Sequence, residues 1–166
     1  PIWFAIAKKF AAHGHHLFLT SKTAADLVNA VDELKQLYPN VTIEGIHADL
    51  SIEGQVHCFT EWCLLHTQPD ILVNNAGVAN GSIFQMTPIS ELEKTLKINF
   101  TSQVLFTQGI SRLMSKSKKG SIINISSISG ITGEPGTLSY GSSKAAMIFA
   151  TKTMASELGK DNIRVN

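Results

Sequence analysis

Tyr140 and Lys144 set a phenol and an amine four residues apart, and Ser127 lies thirteen residues ahead of the phenol. A free phenol titrates near pH ~10, so at neutral pH it is a weak acid and a weak base unless a neighbouring cation favours the phenolate. Lys144 can supply that cation, because residues four apart on a helix share one side. A hydroxyl at the end of a strand, such as that of Ser127, could hydrogen-bond the same carbonyl oxygen that Tyr140 protonates and so stabilise charge as it develops there. The set suits carbonyl reduction or alcohol oxidation. Alone, a Tyr and a Lys at this spacing read more readily as a packing ring and a solvated amine; the surrounding elements give the pair its meaning.

Those elements follow from the apolar pattern. Ile122, Ile123 and Ile125 have the β-branching and run length of a buried strand that ends at Ser126 and Ser127. After a Gly-rich loop, Tyr140 to Leu158 reads as a helix with an apolar face of Ala145, Ala146, Ile148, Phe149, Met154 and Leu158, stopped by Gly159. Upstream, the pattern predicts a helix over Ile2–Ala12 with Ile2, Ile6 and Phe10 inward, and a strand over His16–Thr20. A helix over Thr23–Leu37 follows, with Thr23 and Asp26 spaced as in a capping box, and then a strand over Val41–Leu50. A helix over Ser51–His66 and a strand over Ile71–Asn74 come next. Thr87-Pro88 opens a long helix to about Ser115, and Asn162–Asn166 begins a last strand. The alternation predicts an α/β fold with a doubly wound parallel sheet, residues 1–166 forming one domain.

The block SIINISSISGITGEPGTLSYGSSK, with ILVNNAG and KINFTS before it, resembles the active-site pattern of the classical short-chain dehydrogenases/reductases, 3-oxoacyl-acyl-carrier-protein reductases among them, over nearly the whole chain. The resemblance implies a Rossmann-like, three-layer fold and hydride transfer between a nicotinamide and a carbonyl carbon. It gives Tyr140 the acid/base role, Ser127 rather than Ser126 the polarising hydroxyl, and Lys144 the task of assisting Tyr140 and holding the cofactor ribose. Asn99, twenty-eight residues before Ser127, matches the family Asn that holds a water in a proton relay to the lysine. Ser21 and Lys22, where an acidic residue would favour NAD(H), tilt the expectation to NADP(H). Asp49 with Leu50 matches the pair at the adenine ring, and Asn75, Ala76 and Gly77 match the segment that flanks the cofactor. The implied partners are a small-molecule carbonyl or alcohol and further copies of the same chain, as dimer or tetramer.

The family pattern also has a first strand and a T-G-x-x-x-G-x-G loop, whose glycines admit the cofactor pyrophosphate at a helix N-terminus. Pro1 and Trp3 stand at the places of its last two glycines, so no residue of this chain is expected to take that role. That strand would lie between His16–Thr20 and Ile71–Asn74; without it the expectation is two exposed inner edges, and a chain that is poorly stable or pairs those two strands directly. A second reading is a truncated, catalytically inactive family member that associates through the helices Pro88–Ser115 and Tyr140–Leu158.

Composition narrows the remaining classes. The chain has 166 residues, 43% of them apolar, and a formal net charge of +1. That balance argues against a dedicated nucleic-acid binder, and no apolar run is long enough to span a bilayer. The basic run Lys116, Lys118 and Lys119 reads as a solvated helix end matched to the dipole. Cys58 and Cys63 fit neither a disulfide framework nor a zinc spacing and read as packed, reduced thiols of a cytoplasmic protein. His13, His15 and His16 lack further ligands nearby, so no metal is expected.

Overall fold

The first helix, α1 (Ile2–Ala12), turns Ala7 and Ala11 into a core shared with Leu17, Leu34 and Ile43, while Phe4, Phe10, Leu19, Val31, Tyr38 and Val41 close around it. The inward stripe is therefore Ala7 and Ala11, and Ile2 is exposed. Small side chains let this helix sit close to its neighbours. β1 (Leu17–Ser21) pairs in parallel with β2 (Ile43–His47), and α2 (Ala24–Leu37) connects them. β2 is shorter than Val41–Leu50 because its ladder is limited by β1: Leu17 lies opposite Ile43 and Ser21 opposite His47. Thr23 is the N-cap of α2, but its side chain makes no cap bond. Its backbone N–H instead donates to Ser21 Oγ at 3.3 Å. The three early histidines have separate tasks: His13 Nδ1 lies 2.8 Å from Lys9 O, His16 Nδ1 accepts from Thr42 N–H, and the His15 ring meets Phe10 edge-on.

A computed structural model describes residues 1–166, which divide into two packing units, Pro1–Phe59 and Thr60–Asn166, the division falling within α3 (Glu53–His66). Along α3, Cys63 is buried and its thiol is pushed up to about 12 by desolvation, whereas Cys58 is exposed. Only one of the two is a packed thiol.

The second unit is built on a parallel sheet of β3 (Ile71–Asn74), β4 (Gly120–Asn124) and β5 (Ile163–Val165), in the order β3-β4-β5. Within the first unit β1 is laddered to β2, and within the second β3 is laddered to β4. The expected long helix runs as α4 (Ile89–Leu96), a π-helical turn (Lys97–Thr101) and α5 (Ser102–Ser117). It is not one regular helix; the π turn falls at Asn99. Lys118 closes α5 in the left-handed conformation. The basic run there is not simply solvated: Lys118 pairs with Asp161, holding that carboxyl below the usual range, and Lys119 pairs with Asp70.

α6 (Leu138–Leu158) departs most from the apolar pattern. Its buried face is Ser139, Gly141, Ser143, Lys144 and Met147, while Ala145 is exposed and Phe149 is 72% exposed. Ala146, Ile148, Met154 and Leu158 are half-buried, so the most buried strip is the one of small and polar side chains that lets α6 approach the end of β4 closely. No helix is long and apolar enough to cross a membrane.

Candidate active site

Ser127, Tyr140, Lys144 and Asn99 all belong to the second unit. β4 carries the chain to Ser126 and Ser127, after which a short 3-10 turn, Ile128–Gly130, packs on α6. Two glycines set the closeness of that contact. A Cβ on Gly130 would stand 2.8 Å from Ala145 N and from the Lys144 carbonyl carbon, and one on Gly141 would stand 2.7 Å from Ser129 O. Real Cβ atoms do not approach backbone so closely.

The two serines have different hydrogen-bond duties. Ser126 Oγ donates to Lys144 O at 3.1 Å and so spends its proton on the helix. Ser127 Oγ accepts from Ser129 N–H at 3.2 Å, which occupies a lone pair and leaves the O–H to be donated elsewhere. Of the pair, Ser127 is the one whose O–H is not spent on the helix.

Lys144 is 3% exposed, and its Nζ donates to Ile125 O at 2.7 Å. The same ammonium lies 5.7 Å from the centroid of the half-buried Tyr140 ring, within cation–π range. Burial holds its pKa below the usual lysine value. One lysine N–H is used on the strand end, leaving donors for the phenol side or a ligand.

Asn99 is fully buried, and its amide clamps the segment after β3. Oδ1 accepts from Val78 N–H at 2.8 Å, and Nδ2 donates to Val78 O at 2.9 Å and to Ser143 Oγ at 3.0 Å. Both amide hydrogens are thereby committed, so the Asn99 side chain has no N–H left for a water or a substrate. A π turn at this residue is the kind of local irregularity that recurs at functional sites.

The N-N-A-G segment is held from several sides. Asn74 Nδ2 donates to Thr107 Oγ1 and to Asn124 Oδ1, each at 2.8 Å, while Gln103 Nε2 donates to Ala76 O at 2.6 Å and to Ile98 O at 3.1 Å. Asn75 and Ala76 are half-buried and Gly77 is exposed. A Cβ at Gly77 would touch Asn99 Oδ1 at 3.5 Å and Lys144 Nζ at 3.6 Å, so glycine leaves open a recess against two polar groups. Such a recess fits the polar face of a dinucleotide cofactor.

Gln103, Ser126 and Ser143 are structural contributors that the active-site motif alone does not reveal. A readable signal existed for Gln103. Asn99, Ser102, Gln103 and Thr107 follow helical spacing and are all buried, a polar stripe where a core-facing helix usually carries apolar residues.

In the first unit, Ser21 ends β1 and Lys22 follows it. Lys22 Nζ lies 3.1 Å from Asp49 Oδ2, so two residues expected to bind different parts of a cofactor are paired with each other. Asp49 Oδ1 also accepts from Ser51 N–H at 2.8 Å and Ser51 Oγ at 2.7 Å. The Ser51 bonds and then Lys22 hold the Asp49 carboxyl below its ordinary range. Leu50 follows it, half-buried.

Residues 2–166 match the family model described as short chain dehydrogenase. The chain belongs to the short-chain dehydrogenase family. It is 36% identical to the 3-oxoacyl-acyl-carrier-protein reductase FabG of Aquifex aeolicus, over 98% of this chain and 65% of that protein. The short-chain dehydrogenase fold is equally plain in solved structures. L-Sorbose reductase from Gluconobacter frateurii, complexed with NADPH and L-sorbose, aligns with a TM-score of 0.94 at 29% identity, covering 99% of this chain and 63% of that one. An NAD+-bound xylitol dehydrogenase aligns with a TM-score of 0.93 at 29% identity, covering 99% and 64%. The chain thus spans a little less than two-thirds of the length of these relatives.

Proposed function

We propose that this chain is part of an NADP(H)-dependent oxidoreductase that interconverts a carbonyl and a secondary alcohol. The observation that carries this reading is the division of labour around α6: Ser127 keeps its proton free while Lys144, buried beside the Tyr140 ring, keeps a cation there. Tyr140 gives or takes the proton at the substrate oxygen, Ser127 hydrogen-bonds that oxygen, and Lys144 favours the charged phenol and binds the ribose. Asn99 holds the segment after β3 in place beside them. The nicotinamide, when bound, supplies or accepts the hydride. Asn75, Ala76 and Gly77 flank it, and Asp49 with Leu50 meets the adenine.

The preference for NADP(H) rests on Lys22, whose side chain is 67% exposed and free to leave Asp49 for a 2′-phosphate. Family neighbours of both cofactor types exist, so the test must be made on this protein. Replacing Lys22 by alanine is expected to raise KM for NADPH by about tenfold or more, the loss of a charge-assisted hydrogen bond, with KM for NADH unchanged. Equal effects on both cofactors would remove Lys22 from that role.

The substrate is a small carbonyl compound or alcohol. The intact protein is proposed to be a cytoplasmic homo-oligomer, in line with the free thiols Cys58 and Cys63 and with the exposed Phe149 on α6. NADPH consumption with a panel of ketones tests the activity. Within that assay, Gly130→Val is expected to lower kcat by about 100-fold, since a side chain there pushes the turn after Ser127 away from α6 and misplaces one reacting group against another. Unchanged kcat in a folded Gly130→Val protein would show that this contact does not position Ser127.

A further inference from the structure

Ser143 carries no part of the chemistry described above, yet it is fully buried and joins two of its elements. Its Oγ donates to Tyr140 O at 2.7 Å, one turn back on α6, and accepts from Asn99 Nδ2 at 3.0 Å in the π turn. Asn99 in turn grips Val78 by both its N–H and its C=O, just past Gly77. The recess at Gly77 faces Asn99 Oδ1 and Lys144 Nζ. One hydroxyl therefore ties the carbonyl of the phenol-bearing residue to the amide that fixes the segment after β3.

We infer that Ser143 is a positioning residue, which sets the Asn99 amide and through it holds Val78 and the Gly77 recess in register with Tyr140 and Lys144. The inference rests on the oxidoreductase reading for its kinetic consequence but not for its structural one. Removing the hydroxyl leaves a buried Asn99 N–H without its acceptor, a loss that such a group recovers only by moving. A rotated Asn99 amide loosens both bonds to Val78.

The test uses Ser143→Ala and Ser143→Thr in the whole protein, with two readouts. Amide hydrogen exchange at Val78, followed by NMR, is expected to quicken by about tenfold or more in Ser143→Ala and to return toward the parent rate in Ser143→Thr, which restores the hydroxyl. In ketone reduction, kcat is expected to fall by about tenfold or more in Ser143→Ala and KM for NADPH to rise as the Gly77 recess loosens, both returning toward the parent values in Ser143→Thr. Adding Ser143→Ala to Asn99→Ala should then cost nothing further. Unaltered exchange at Val78 in Ser143→Ala would overturn the inference whether or not the protein reduces ketones. Quickened exchange with an inactive parent would instead count against the oxidoreductase reading alone, and fully additive losses in the double variant would show that Ser143 does not act through Asn99.

Discussion

Tyr140→Phe is expected to reduce the rate of ketone reduction by about 10²–10⁴-fold, the range that a positioned general acid contributes. The substitution removes one oxygen and little else. The phenyl ring can keep its place beside the Lys144 ammonium, 5.7 Å from the ring centroid in the parent, and the backbone carbonyl of residue 140 still accepts from Ser143. Cofactor affinity and thermal stability should therefore remain at parental values while kcat collapses. Steady-state kinetics with NADPH titration checks both halves. A Phe variant that reduced ketones at the parental rate would place the proton donor elsewhere.

Lys144→Met should be nearly as damaging to catalysis, with a loss of about 100-fold or more as the charge beside the phenol disappears. Its effect on stability runs differently with pH. The buried ammonium is desolvated, and its pKa in the folded chain lies below the ordinary 10.5. Between the lowered folded value and 10.5 the unfolded chain binds more protons at this site than the folded one, so stability at this site rises with pH through that window. Below it, lysine is charged in both states and the full desolvation penalty remains. Methionine is similar in length, flexible and uncharged, so it fills the space without that penalty. Denaturation curves are thus expected to favour Lys144→Met most at neutral pH, with the parent recovering ground as the pH approaches 10.5. A difference between the two proteins that did not vary with pH would mean the amine is not desolvated in the fold.

Much of this was legible in the sequence, for identifiable reasons. β3, with its apolar run and the N-N-A-G after it, falls at Ile71–Asn74 as the pattern predicts. α1 spans Ile2–Ala12 as periodicity suggests, although its inward residues are alanines. The thirteen-residue spacing points to Ser127 over Ser126; in the structure Ser126 Oγ donates to Lys144 O while Ser127 Oγ accepts from Ser129 N–H. Other features depend on groups far apart in the chain. The π turn at Asn99 accompanies an amide that must reach Val78 and Ser143 together, which no local propensity encodes. The pairing of Lys22 with Asp49 follows from a β1–β2 register that sets Ser21 opposite His47. The most buried strip of α6 differs from its apolar stripe because hydrophobicity ignores fit. Gly130 and Gly141 bring backbone to within reach of backbone, and serines rather than large apolar side chains fill the space that remains.

Deuterium transfer tests the reading most directly. NADPH labelled at the transferring carbon would be incubated with the protein and a reducible ketone, and the alcohol analysed by mass spectrometry and NMR. The expected result is deuterium on the carbinol carbon in the parent and a transfer rate lowered by about 10²-fold or more in both Tyr140→Phe and Lys144→Met. Alcohol formed without the label, or label transferred equally well by all three proteins, would contradict it.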